Sequence, residues 1–275
     1  MTDHAARRGV INVEGTARNI EVMIASGFDD FEQAYLLLAR KYRARGYEDV
    51  GSKLFRFTPF HVLPGTITVI ARDRDQVVAT LSMVPDTCLL GLPMESVYPE
   101  DLARFRAEGR RLGEVTCLAD EGLGHREFLG VFQAMIRLVQ QYHVRIGGDT
   151  WVITVNPRHT SFYQKVMGAL PFGVRKAHPS VANAPAEALY TDQSVMRTKA
   201  PRTYDRIFGV SLPMSVLSPL PRPLDHATFF GEHSSAADSQ TIRRIEAAVE
   251  QIEAAPRWWS TTIRESPIFP LRPAA

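Results

Sequence analysis

The chain has 275 residues, 45% of them hydrophobic and 23% charged, with a formal net charge of +2. This is the composition of a globular protein with enough apolar material for a real core. The slight basicity is too weak to argue for nucleic acid, and no run approaches the ~18 apolar residues of a membrane span.

Two cysteines, Cys88 and Cys117, and a start without an apolar signal stretch point to buried thiols in a reducing, cytoplasmic setting. Residues 1 to about 25 form an arm of alternating character ("VINVEG", "NIEVMIA") that carries Arg7, Arg8 and Arg18. The first strong helix is "DDFEQAYLLLARKYRARGY". Asp29 and Glu32 give it a capping-box pattern and Gly46 a stop. Phe31, Ala34, Tyr35, Leu38 and Tyr42 supply its apolar stripe, while Arg40, Lys41, Arg43 and Arg45 load the end where cations suit the helix dipole.

Two strands follow, "TITVIA" and "QVVATLSMV", joined by the polar turn "RDRD" as a meander. "PEDLARFRAEG" reads as a short helix and "RRLGEVTCLAD" as another strand. Strict alternation there puts Leu112, Glu114, Thr116 and Leu118 on one face and Val115, Cys117 and Ala119 on the other. After "EGLG" comes a long amphipathic helix, "HREFLGVFQAMIRLVQQYHV", then the β-branched strand "TWVITV". Asn156 suits an N-cap, Pro157 the first helical position and Gly168 the stop of the next helix, "RHTSFYQKVM". "AEALYTDQ" is the last strand. The pattern is α/β (α+β), a mixed central sheet flanked by helices.

Near residue 200 the composition changes. Residues 1–199 read as one domain and 200–275 as a proline-rich C-terminal helical extension ("SLPMSVLSPLPRPLDH") with one amphipathic helix. Ile242, Ile245, Val249 and Ile252 of that helix form a narrow stripe, suited to docking on the body or on a second subunit in a homodimer.

A P-loop, GxGxxG, HExxH, CxxC and GxSxG are all absent, and the histidines lack metal-ligand spacing; no metal or redox cofactor is expected. Two features stand out. Glu114 lies mid-strand among apolar neighbours, where a carboxylate is costly unless paired or used. Arg158, His159 and Tyr163 share a short helix just past the carboxyl end of a strand, where α/β proteins tend to bind ligands. Each has a plainer reading: a hydrogen-bonded structural glutamate, a surface arginine, a solvent-facing histidine, a core tyrosine.

Taken together, the Glu strand, the long helix and "VNPRHTSFYQKVMGALPFG", with "YRARGY" and "GLPMESVYPEDL" before them, resemble the N-acyl amino acid synthases over about residues 20–195. These are GNAT-like (N-acetyltransferase-like) relatives of acyl-homoserine lactone synthases. The resemblance implies a splayed sheet and transfer of a long-chain fatty acyl group from an acyl carrier protein thioester to the α-amine of an amino acid. The acyl-phosphopantetheine of the carrier is then the donor, with no bound cofactor. Such chemistry needs a base for the ammonium, donors for the oxyanion and an acid for the thiolate.

On this reading Glu114 is the base, Tyr163 the acid, and His159 and Arg158 hold the acceptor carboxylate. Thr116 contacts substrate, and Phe128, Phe132 and Met135 line an acyl tunnel. His125 and Arg126 hold the phosphodiester, with Arg110 and Arg111, together with Arg104 and Arg106, docking the acidic carrier. Two departures matter. "DEGLGHREFLG" lacks the glycine-rich loop of coenzyme A-dependent GNAT enzymes, and Cys117 stands where homoserine lactone synthases carry an arginine. A coenzyme A-dependent N-acetyltransferase and a non-catalytic acyl- or partner-binding module are the alternatives.

Overall fold

A computed structural model of the chain describes residues 9–48, 55–87, 89–218 and, further on, 240, 241, 243 and 244. Arg7, Arg8, Cys88, the proline-rich run from residue 219 and the Ile242, Ile245, Val249 and Ile252 stripe lie outside the described residues.

Eight strands form one sheet in the order β1-β2-β3-β4-β5-β6-β8-β7. In chain order they are β1 (Ile11–Asn12), β2 (Ile20–Ile24), β3 (Ile67–Asp73), β4 (Gln76–Pro85), β5 (Leu112–Asp120), β6 (Thr150–Val155), β7 (Leu170–His178) and β8 (Ala184–Asp192). The described pairings are antiparallel except β5 with β6. Long helices are α1 (Phe28–Ala44), α2 (Pro99–Ala107), α3 (His125–Arg145) and α4 (Pro157–Met167). This is the mixed, helix-flanked architecture the sequence suggests. Among the described residues no helix is long and apolar enough to cross a membrane.

The sheet is covered on both faces. Tyr35, Leu38, Tyr98 and Leu102 of α1 and its neighbours join one apolar cluster, and Phe132, Met135, Leu138 and Val139 of α3 join the other. Each such side chain contributes roughly 1.5–3 kcal/mol on burial.

Local chemistry sets the helix ends. At α4 the Asn156 side chain accepts the Arg158 backbone N–H, Pro157 opens the helix, and Gly168 closes it with a left-handed φ of 66°. At α1 the cap differs from the expected Asp29/Glu32 pair. Gly27 is the N-cap and the buried Asp30 carboxylate accepts the N–H groups of Ser26 and Gly27. The strand β7 escapes the sequence pattern because it is a largely exposed edge strand carrying Pro171 and Gly173 instead of an apolar run.

Residues 201–217 are also joined to the body. Short helices α5 (Gln193–Lys199), α6 (Pro201–Phe208) and α7 (Met214–Leu217) follow one another, and Ile207, Leu212, Val216 and Leu217 are buried in the cluster around α3. Within the proline-rich stretch, Met214–Leu217 is helical.

Two irregularities shape the centre of the sheet. The β5–β6 ladder spans Leu112–Glu114 against Thr150–Val152 and then stops, although β5 runs on to Asp120 and β6 to Val155. The strands separate there. Opposite β4, the register of β5 shifts and Cys117 adopts φ 59°. This bulge overturns the expected alternation: Cys117 and Ala119 join the cluster of Leu112, while Leu118 packs with Val115 in the other.

Candidate active site

The split between β5 and β6 opens into two cavities that share Tyr42, Thr116, Cys117, Thr154 and Val155. They form a cleft through the sheet. The smaller, about 180 Å³, carries Glu114, Arg56, His61, His178 and Asn156 in its lining, beside Tyr47 and Phe60. The larger, about 480 Å³, is walled by Leu81, Leu123, Phe128, Phe132, Ile153 and Phe162. Lys41, Arg45 and His125 line it as well, together with Asp120, His159 and Tyr163.

Glu114 is 2% exposed. Its Oε2 accepts the Met94 backbone N–H at 2.7 Å. Burial pushes its pKa up to about 8; the Met94 N–H pulls the other way and the nearby Glu95 charge adds to the rise. Met94 belongs to a one-turn 3-10 helix, Pro93–Ser96, and Arg106 of α2 secures that turn. Its guanidinium donates to both oxygens of Glu95 at 2.8 Å and to Asp86 at 2.6 and 2.9 Å.

Tyr163 is set against Phe132 and Phe162, with ring centroids 6.0 and 5.2 Å away. Burial pushes its hydroxyl up to about 12, against a small pull from Arg45. It therefore holds its proton at any working pH. His159 is kept neutral by burial and the Arg158 charge, and its Nε2 accepts from the Arg158 Nε at 3.1 Å. Burial raises the Cys117 thiol as well, so it is no thiolate.

Of the residues singled out in the sequence, the cleft brings together Glu114, Thr116, His125, Phe128, Phe132, His159 and Tyr163. It does not include the rest. Met135 is fully buried core, one turn too deep to line the cavity. Arg158 is exposed, bonded to His159 and, at 3.5 Å, to the Tyr47 hydroxyl. Arg126 is exposed on the first turn of α3 and lines neither cavity.

Arg110 and Arg111 lie at the amino ends of the parallel strands, opposite the end that leads into α3 and α4. There Arg110 pairs with Asp192 and Glu108, and Arg111 with Asp149. Arg104 is exposed and engaged with Asp101, and Arg106 is buried with its two carboxylates. At the N-terminus of α3 the Gly124 N–H donates to Glu127 at 3.2 Å.

Sequence reasoning passed over α1. Tyr42, Lys41 and Arg45 reach the cleft from its last turns, and Arg56 from the segment after it. The run of four cations at that helix end was the available signal, and the dipole explained it away.

A family model described as N-acyl amino acid synthase FeeM matches residues 33–192. Among solved structures, that of FeeM, an N-acyl amino acid synthase from uncultured soil microbes, is 27% identical with a TM-score of 0.58. The match covers 68% of this chain and 98% of that one. The acyl-homoserine lactone synthase LasI shares the fold at 15% identity and a TM-score of 0.50, over 75% of this chain and 98% of its own. No curated protein matches the sequence.

Proposed function

The chain belongs to the N-acyl amino acid synthase family of FeeM and is an N-acyltransferase, and we propose that it moves a long-chain acyl group from an acyl carrier protein thioester to the α-amine of an amino acid. One observation carries the reading: a fully buried glutamate, its pKa raised to about 8, lines a cavity where the sheet splits. A carboxyl tuned in this way is poised to take a proton near neutral pH.

The two cavities suit two substrates. The larger one, with Leu81, Phe128, Phe132 and Phe162 along its wall, suits the acyl-pantetheine arm, and the smaller one, with Glu114 and Arg56, the amino acid. Past Glu114 and Val152 the facing edges of β5 and β6 have no partner strand, so backbone groups along them can bond the amides of the arm and the developing oxyanion. The buried Thr154 hydroxyl, which lacks a hydrogen-bond partner among the described residues, lies on the lining common to both cavities.

In the reaction, Glu114 takes a proton from the ammonium, directly or through water. The amine attacks the thioester carbonyl, forming the C–N bond and a tetrahedral oxyanion. Collapse breaks the C–S bond, Tyr163 gives its proton to the departing thiolate, and the second proton shed by the attacking nitrogen returns through water to Tyr163. His159, Thr116, Phe128 and Phe132 border the donor, and His125 with Lys41 and Arg45 meets its phosphodiester.

A carrier protein is favoured over coenzyme A by charge. Asp120, Glu121 and Glu127 surround the start of α3, an unfavourable setting for the several phosphates of coenzyme A. At the end of α1, Arg40 and Lys41 pair with Glu121, while Arg45 lines the larger cavity as a cation suited to an acidic carrier. The protein is expected to work in the cytoplasm.

Mass spectrometry tests the reading. Purified protein is incubated with the twenty amino acids and either palmitoyl-loaded carrier protein or palmitoyl coenzyme A. An amide formed from the carrier-bound donor supports it; an amide formed only from coenzyme A overturns the donor assignment.

A further inference from the structure

The acceptor carboxylate needs a cation, and the expected one, Arg158, lines neither cavity. Arg56 is the one arginine or lysine among the described residues lining the Glu114 cavity. Nothing in its sequence surroundings, "KLFRFTP", marks it out. The structure holds it firmly nonetheless. Its backbone N–H donates to the Tyr35 carbonyl of α1 at 3.3 Å, and its guanidinium carbon lies 4.1 Å over the centre of the Tyr42 ring. Nη1 donates to Glu48 and Nη2 to the Ser180 carbonyl at 3.2 Å.

These bonds leave the guanidinium short of partners. Nε has none among the described residues, and each Nη carries a second N–H. A side chain only 12% exposed with donors to spare is costly unless a ligand completes it. An acyl chain would make matters worse, stripping water from the cation and returning no hydrogen bond. A carboxylate matches its forked donors. His178 lines the same cavity, held neutral by burial and by the Arg56 charge, and bonds the Ser180 hydroxyl at 3.1 Å; it adds a polar wall without a competing charge. The cavity thus offers a proton acceptor, Glu114, and an anion holder, Arg56, the two groups an α-amino acid requires.

We propose that Arg56 anchors the α-carboxylate of the acceptor and so makes this enzyme select amino acids over plain amines. The inference rests on the acyl-transfer reading of the same site. It makes Arg56 a specificity-determining residue, with Tyr42 and Glu48 positioning it.

The test compares the amino acid that the product scan identifies with its own decarboxylated amine, using palmitoyl-loaded carrier protein as donor. For Arg56→Met the KM for the amino acid is expected to rise about 10- to 100-fold, the span of one charge-assisted contact. kcat/KM for the amine should change by less than about twofold, so that the preference collapses. Arg56→Lys, which keeps the charge but not the fork, should fall between, and it carries the test if the methionine variant fails to fold. Equal losses on both acceptors, or an unchanged preference, would overturn the proposal. Absence of any amide from the unmutated protein would instead remove the acyl-transfer reading beneath it.

Discussion

The Met94 backbone N–H and the Glu114 carboxylate meet at 2.7 Å, and this contact connects the reactive strand to a turn that α2 holds from behind. The bond steadies the ionised form, but burial outweighs it and leaves the group near pH 8. Glu114 is therefore mostly protonated at neutral pH. Acceptor kcat/KM should rise about tenfold per unit below pH ~8 as the carboxylate forms. In Glu114→Gln that limb should disappear, with the rate lower by about 10²–10⁴. A pH–rate profile for both proteins checks it.

The same shift acts on stability. A carboxyl whose folded pKa is raised, from 4.5 to about 8, favours folding below the lower value and loses that contribution as pH rises through the upper one. Glu114→Gln should remove this alkaline loss, because the amide oxygen still accepts from Met94 and no charge is buried. Urea titrations at pH ~6 and ~9 should give the variant the smaller difference.

His143 imposes the opposite trend. Burial lowers it from 6.5 to about 4, so its contribution is whole above the upper value and is lost as pH falls through the lower. The window amounts to about 3 kcal/mol. His143→Leu should flatten acid unfolding between pH ~6.5 and ~4, as followed by circular dichroism.

The ring of His143 also explains two glycines. A Cβ at Gly148 would lie 1.9 Å from its Nε2, and one at Gly113 2.5 Å. The ring is buried and packs edge-on against Trp151, centroids 5.5 Å apart. Gly148→Ala should cost about 1–3 kcal/mol, and pairing it with His143→Ala should recover part of the loss.

Arg106 ties stability to chemistry. Arg106→Met removes the counter-charge of Asp86 and Glu95 and should cost about 3–5 kcal/mol. Glu95 then repels the Glu114 carboxylate without its counter-charge, so the pH–rate limb should move to higher pH. A purely structural role would lower stability and leave the limb in place.

The sequence revealed what local chemistry encodes. Asn156, Pro157 and Gly168 bound α4 as their side chains and φ preferences dictate, and Glu114 announced itself as a charge amid apolar neighbours. What it concealed is tertiary. The left-handed Cys117 changes which side chains share a face, a slip that a two-residue alternation does not anticipate. Arg56 enters the cleft because α1 folds back over the sheet, and Arg110 and Arg111 leave it because they sit at the wrong end of a parallel pair. Phe128, Phe132 and Met135 share one stripe, yet the cavity reaches the first two and stops before the third.

The most direct measurement is single-turnover amide formation at pH ~8, with acyl-loaded carrier protein and saturating acceptor, for the unmutated protein and Glu114→Gln. The account predicts amide from the first and a rate at least about a hundredfold lower from the second, with donor bound equally by both. Equal rates would contradict it and take the base away from Glu114.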